Sequence, residues 1–167
     1  ATVNIKGNGS TIITHGELYV GYSGIGVLNI QRGGVLNMLT NGSVTGYTYI
    51  GADYQLEGYP SSFGVINIDG VGSQWIANGP ISEGGIGGRG LGIVNITNGA
   101  TVNSAWDFTI NKNLLLTIDA GVGSSLVCNN GTRYINNSGT VRVVAGANAA
   151  LGVFTPINAK YISGSIQ

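Results

Sequence analysis

The sequence predicts an all-β chain wound as a right-handed, single-stranded parallel β-helix. Three observations carry that expectation: a phased internal repeat, strand-type alternation without helix signals, and a composition rich in turn residues and poor in charge. Repeats of about 20 to 50 residues mark stacked architectures, so self-similarity is the first thing to test. A tripeptide with Asn between two aliphatics occurs as Val3-Asn4-Ile5, Leu28-Asn29-Ile30, Ile66-Asn67-Ile68 and Val94-Asn95-Ile96. It then degrades to Leu116-Thr117-Ile118 and Val141-Arg142-Val143, and the centres lie 25, 38, 28, 22 and 25 residues apart.

Two further series keep phase with the first. One comprises Leu18-Tyr19-Val20-Gly21, Tyr49-Ile50-Gly51, Phe108-Thr109-Ile110, Tyr134-Ile135-Asn136 and Tyr161-Ile162-Ser163, with Ser82-Glu83-Gly84 as a weaker member. The other is a Gly turn and short strand after the Asn tripeptide, as in Gly33-Gly34-Val35-Leu36, Gly72-Ser73-Gln74-Trp75-Ile76 and Gly99-Ala100-Thr101-Val102. Each repeat therefore carries about three short strands. They are rich in Val, Ile and Thr and are bounded by residues that tolerate positive φ.

Such a repeat is one coil of a β-solenoid, in which every strand pairs in parallel with its equivalent in the next coil. About six coils of roughly 22–28 residues fit the chain, stacked at about 4.8 Å each. Period-two alternation turns both aliphatics of each tripeptide inward and sets Asn4, Asn29, Asn67 and Asn95 in an outward row. The long interval leaves an insertion at about 51–62, expected to project as a loop. Residues 1–167 read as a single domain.

Composition narrows the function classes. Glycine supplies 30 of 167 residues, and charged residues make up only 8%, against about 25% in ordinary globular domains. Seven basic residues balance seven acidic ones, with no basic cluster to follow a phosphate backbone, so nucleic acid is not an expected partner. No apolar run approaches the ~20 residues that span a bilayer as a helix. A chain that begins at Ala1 without a charged-then-apolar leader fits a secreted protein after signal-peptide removal, or a cloned fragment. Cys128 stands alone, so no intrachain disulfide forms, and it reads as a small packed residue.

Three segments resemble a known repeat: LYVGYSGIGVLNIQRGG at Leu18 to Gly34, YIGADY at Tyr49 to Tyr54, and FGVINIDGVGSQWIANG at Phe63 to Gly79. The pattern of an aromatic-Val-Gly strand, an alternating apolar strand, an Asn-Gly or Asp-Gly turn and a Ser-x-Trp strand is similar to that of autotransporter passenger domains. Surface proteins that carry a PEP-CTERM sorting tail share it. The resemblance covers about residues 16–104 well and the remainder only through spacing. It implies a parallel β-helix exported to the bacterial cell surface or beyond, and it says little about activity. No autotransporter barrel or sorting tail follows the repeats up to Gln167, which leaves open a trimmed chain or a free-standing relative.

Catalysis on a β-helix would need paired carboxylates, or a calcium-holding cluster beside a base, on one face. The seven acids form no such spacing pattern, although Asp53 and Glu57 share the inserted loop. His15 reads as a turn residue with no nucleophile nearby in sequence. The run GGIGGRGLG at 84–92 has dinucleotide-loop spacing but no following helix. No catalytic residue, metal ligand or cofactor is expected.

Both ends of the chain read as uncapped coils. Thr2, Val3 and Ile5 already lie in a strand, and the segment containing Tyr161, Ile162 and Ile166 reads as the start of a new coil. Those six residues are the candidates for self-assembly, since head-to-tail stacking that does not close yields a filament. The expected function is structural: an extracellular or surface protein extending end to end into a fibre or matrix. A glycan-binding or adhesive module is the alternative, using Asp53, Tyr54, Glu57 and Tyr59 with the Asn row; Trp75 and Trp106 would stack on sugar rings if exposed, but a Trp in a repeat strand reads first as a packed residue at the solenoid edge. A carbohydrate-active enzyme is a weaker third. The partner is accordingly a second copy of the chain or a surface glycan.

Overall fold

Six successive passes of the chain each lay down three short strands. The computed structural model describes residues 1–39, 47–51, 62–79, 81–83, 90–120, 123–128, 131, 133–145 and 155–167. In the first pass these are β1 (Thr2–Lys6), β2 (Thr11–His15) and β3 (Leu18–Val20), and in the second β4 (Ile25–Gln31), β5 (Val35–Leu39) and β6 (Thr48–Ile50). The third contributes β7 (Phe63–Asp69), β8 (Gln74–Ala77) and β9 (Ile81–Glu83), the fourth β10 (Leu91–Thr97), β11 (Thr101–Ser104) and β12 (Phe108–Ile110). β13 (Leu114–Asp119), β14 (Ser125–Cys128) and β15 (Tyr134–Asn137) follow, then β16 (Thr140–Val144), β17 (Ile157–Asn158) and β18 (Tyr161–Ile162). Every third strand joins the same sheet, so the described strands form three six-stranded parallel sheets, a β-solenoid.

Register is set by the inward columns. Val3, Leu28, Ile66, Val94, Leu116 and Val141 stack as Cα partners along the first sheet, and Ile5, Ile30, Ile68, Ile96, Ile118 and Val143 form the column beside them. A slip of one residue would turn both columns outward, so burial fixes the pairing. The second sheet places Ile12, Leu36, Trp75, Val102, Leu126 and Ile157 in one inward column. Trp75 is fully buried, and its Nε1–H points to Met38 Sδ at 3.4 Å. The Thr48 hydroxyl donates to the same sulfur at 3.2 Å, so one thioether serves two buried donors. Trp75 is therefore a core residue and offers no surface to a sugar; Trp106, exposed, is the tryptophan that does.

Aromatic matching in the third sheet misleads about register. Thr48, Ile81, Phe108, Ile135 and Ile162 are the aligned partners, so Phe108 is an inward, fully buried residue. Tyr19 and Tyr49 pair one position later and face outward, whereas Tyr134 and Tyr161 pair one position earlier. The three aromatic sets thus occupy three columns, because period-two alternation assigns the face whatever the residue type.

Two local devices turn the corners. At the first corner Ser73 Oγ donates to Asp69 O at 2.6 Å and accepts from Gly33 N–H at 3.0 Å, tying one turn to the next. Ser124 Oγ repeats the second bond to Gly99 N–H. Where the third sheet passes back to the first, Gly26, Gly64 and Gly92 form a column in register. A Cβ on Gly64 would sit 2.5 Å from Gly51 N and 2.8 Å from Ile50 Cγ2, and closer still to Val20 O. No side chain fits there.

Candidate functional surfaces

The amide row is continuous. Asn29 Nδ2 donates to Asn4 Oδ1, Asn67 Nδ2 to Asn29 Oδ1 and Asn95 Nδ2 to Asn67 Oδ1, each at 2.8 Å. Stacked strands hold equivalent side chains one strand spacing apart, about 4.8 Å, which an amide bridges by donating one way and accepting the other. Each inner carboxamide of the row, Asn29 and Asn67, spends one donor and one acceptor along the solenoid axis. Thr117 and Arg142 continue the column beyond Asn95.

At the N-terminal face β1, β2 and β3 end the order of the described strands in their sheets. Val3 is 48% exposed, whereas its register partner Leu28 is 5% exposed. A cavity of about 530 Å³ opens there, lined by Val3, Ile5, Ile12, Leu18, Val20 and Ile25 among others. Thr14 also lines it, and its Oγ1 is buried with no hydrogen-bond partner. Of the N-terminal self-assembly candidates, Thr2 and Val3 are exposed, while Ile5 is a buried residue of the cavity floor.

At the opposite end Tyr161 and Ile166 are exposed and Ile162 is partly buried. Tyr161 and Ile162 do not begin a new coil: they are β18, the third strand of the sixth pass. Only after Gly164 does the chain rejoin the first sheet. Ile166 bridges Val141 in parallel, Gln167 N–H donates to Val141 O at 2.9 Å and Val143 N–H donates to Gln167 O at 3.0 Å. Ile166 thereby stands in the column that starts at Val3. The repeat series had set the start of the coil too early because it matched Tyr161 by type rather than by sheet.

Asp53, Tyr54, Glu57 and Tyr59 lie outside the described residues. Of the other chemically notable groups, His15 is the exposed last residue of β2 rather than a turn residue. Leu91 and Gly92 of the Gly-rich run begin a strand. Cys128 is buried, and its thiol is pushed up to about 12, first by burial and then by the Asp107 carboxylate. Asp69 accepts hydrogen bonds from Thr97 Oγ1 at 2.8 Å and Asn98 Nδ2 at 2.6 Å, and Asp107 Oδ1 accepts from Tyr134 N–H at 2.9 Å. Both carboxylates bond to the neighbouring coil, Asp69 at the end of β10 and Asp107 at the start of β15.

The outer face of the third sheet is aromatic at both ends, a property the repeat series did not isolate. Tyr19 and Tyr49 stack at 4.9 Å between ring centroids with 13° between planes, and Tyr22 meets Tyr19 edge-on at 5.3 Å. Tyr19 Oη donates to Glu17 Oε2. Toward the other end the Arg133 guanidinium lies 4.5 Å from the Trp106 ring centroid and the Lys160 ammonium 5.3 Å from that of Tyr134. The signal was present in the sequence as a shared offset, since Trp106, Arg133 and Lys160 each stand two residues before the aligned positions 108, 135 and 162. Comparison with models of known families, with curated proteins and with solved structures returns no match to this chain.

Proposed function

We propose that the chain is a structural segment of an extracellular or cell-surface shaft, not an enzyme. Its N-terminal face receives a further solenoid layer from a second copy. The observation that carries this reading is the apolar cross-section at that face, where a cavity of about 530 Å³ is lined by Val3, Ile5, Ile12 and Leu18 of the inward columns. Strand edges of β1, β2 and β3 border it, so an added layer gains backbone hydrogen bonds and apolar burial together. Ile166 and Gln167, in register with Val3 and Asn4, give the opposite face the first-sheet residues that such a layer extends. The low charge, the Gly- and Asn-rich repeat and its resemblance to exported surface repeats support the same location.

Negative-stain microscopy and sedimentation velocity of the purified chain test the proposal. Concentration-dependent rods are expected, and Val3→Asp, which puts a charge into the apolar mouth, is expected to keep the chain monomeric. A chain that stays monomeric at high concentration, or assembly indifferent to Val3→Asp, overturns it.

A further inference from the structure

We propose that Trp106, Arg133, Tyr134, Lys160 and Tyr161 form a binding surface for a carboxylate-bearing acidic polysaccharide, independent of any end-to-end assembly. The register builds it. Ile135 aligns with Phe108 and Ile162 with Ile135, so the residues two before each of them, Trp106, Arg133 and Lys160, stand just ahead of β12, β15 and β18 in three successive passes, where the Arg133 guanidinium lies over the Trp106 ring. Tyr134 and Tyr161 are Cα partners one position further on. Backbone bonds keep the two lines aligned: Lys160 N–H donates to Arg133 O at 2.7 Å, and Tyr134 N–H to the Asp107 carboxylate. Trp106 is 44% exposed and Tyr161 63%, in a chain whose other large aromatic residues include fully buried Trp75 and Phe108.

The chemistry selects the ligand. A guanidinium resting on a ring face keeps its in-plane N–H groups for an anion and an ammonium keeps the N–H bonds that point away from the ring, and the ring pre-orients each, which lowers the ordering cost of binding. Among the described residues no carboxylate forms an ion pair with Arg133 or Lys160, and the Asp107 carboxylate beside Trp106 accepts from the Tyr134 N–H. The backbones that carry the two cations lie about one strand spacing apart along the solenoid axis, about 4.8 Å, joined by the Lys160 N–H to Arg133 O bond. A linear polymer with acid groups along its length meets such a row better than a compact ion does. Tyr134, Tyr161 and the exposed part of Trp106 supply apolar faces for the C–H surfaces of sugar rings. A nucleic acid fits less well: two cations on a chain of zero net charge neither neutralise many phosphates nor steer a polyanion.

Affinity electrophoresis through polygalacturonate, with neutral dextran and single-stranded oligothymidylate as the other arms, tests the assignment. Retardation by polygalacturonate that weakens with added salt is expected, with no retardation by dextran. Each charge-assisted contact is worth about tenfold, so the Arg133→Gln/Lys160→Gln variant is expected to bind about a hundredfold more weakly. Trp106→Ala, which keeps both charges, is expected to lose about fivefold. A purely structural role predicts loss of stability instead, yet the double variant is expected to unfold within about 4 °C of the parent. Unchanged binding by the double variant, equal binding to dextran, or tighter binding to oligothymidylate overturns the proposal.

Discussion

Replacing Asn67 with alanine removes two hydrogen bonds at once, the one its carboxamide donates to Asn29 and the one it accepts from Asn95. At about 1 kcal/mol net for each neutral hydrogen bond, the loss is about 2 kcal/mol. Asn4→Ala, at the exposed end of the row, removes only the bond accepted from Asn29 and is expected to cost about 1 kcal/mol or less. Urea titration followed by far-UV circular dichroism separates the two. For a slope of about 2 kcal/mol per molar urea, the midpoint is expected to fall by about 1 M for Asn67→Ala and by about half of that for Asn4→Ala. Asn67→Asp keeps the acceptor but sets an oxygen against Asn29 Oδ1. It is expected to be no more stable than the alanine variant at neutral pH, and to recover in part when acid protonates the new carboxylate and restores a donor. Equal costs for Asn4→Ala and Asn67→Ala, or no shift for either, would show that the row is a solvated face rather than a ladder of mutually bonded amides.

Other substitutions test the core and the corners. Gly64→Ala forces a Cβ against Gly51 N and Ile50 Cγ2 and is expected to cost at least about 2 kcal/mol in the same titration; a neutral result would mean the corner can widen. Trp75→Ala empties an inward position between Leu36 and Val102 and is expected to cost about 3–5 kcal/mol, measured by thermal or urea unfolding. Cys128 is expected to resist a thiol-directed maleimide in the folded chain and to react once denaturant is added, as mass spectrometry would show. Because burial raises this thiol from 9.0 to about 12 in the folded state, its contribution to stability is fully present below pH 9 and is lost as pH rises through 12. Cys128→Ala is expected to lessen the alkaline decline seen in pH-dependent unfolding.

The solenoid is legible in the repeat alone. Alternation around Asn4, Asn29, Asn67 and Asn95 decides which side chains are buried and, through them, the register of six stacked strands, because a one-residue slip would expose every aliphatic in the column. The outward amide row follows from the same arithmetic. Where residues of one type end up, when the alternation and not the type assigns the face, emerges only in the folded chain. Phe108 and Trp75 vanish into the core while Tyr134, Tyr161 and Trp106 stand outside, and Tyr161 proves to be the last strand of one coil instead of the first of another. The alignment of Arg133 and Lys160 with Trp106 likewise depends on where three sheets turn, since residues 27 apart in sequence become neighbours only once each pass closes. Local pattern fixes the inward and outward faces of a strand, whereas neighbours across coils are fixed by the length of every turn between them.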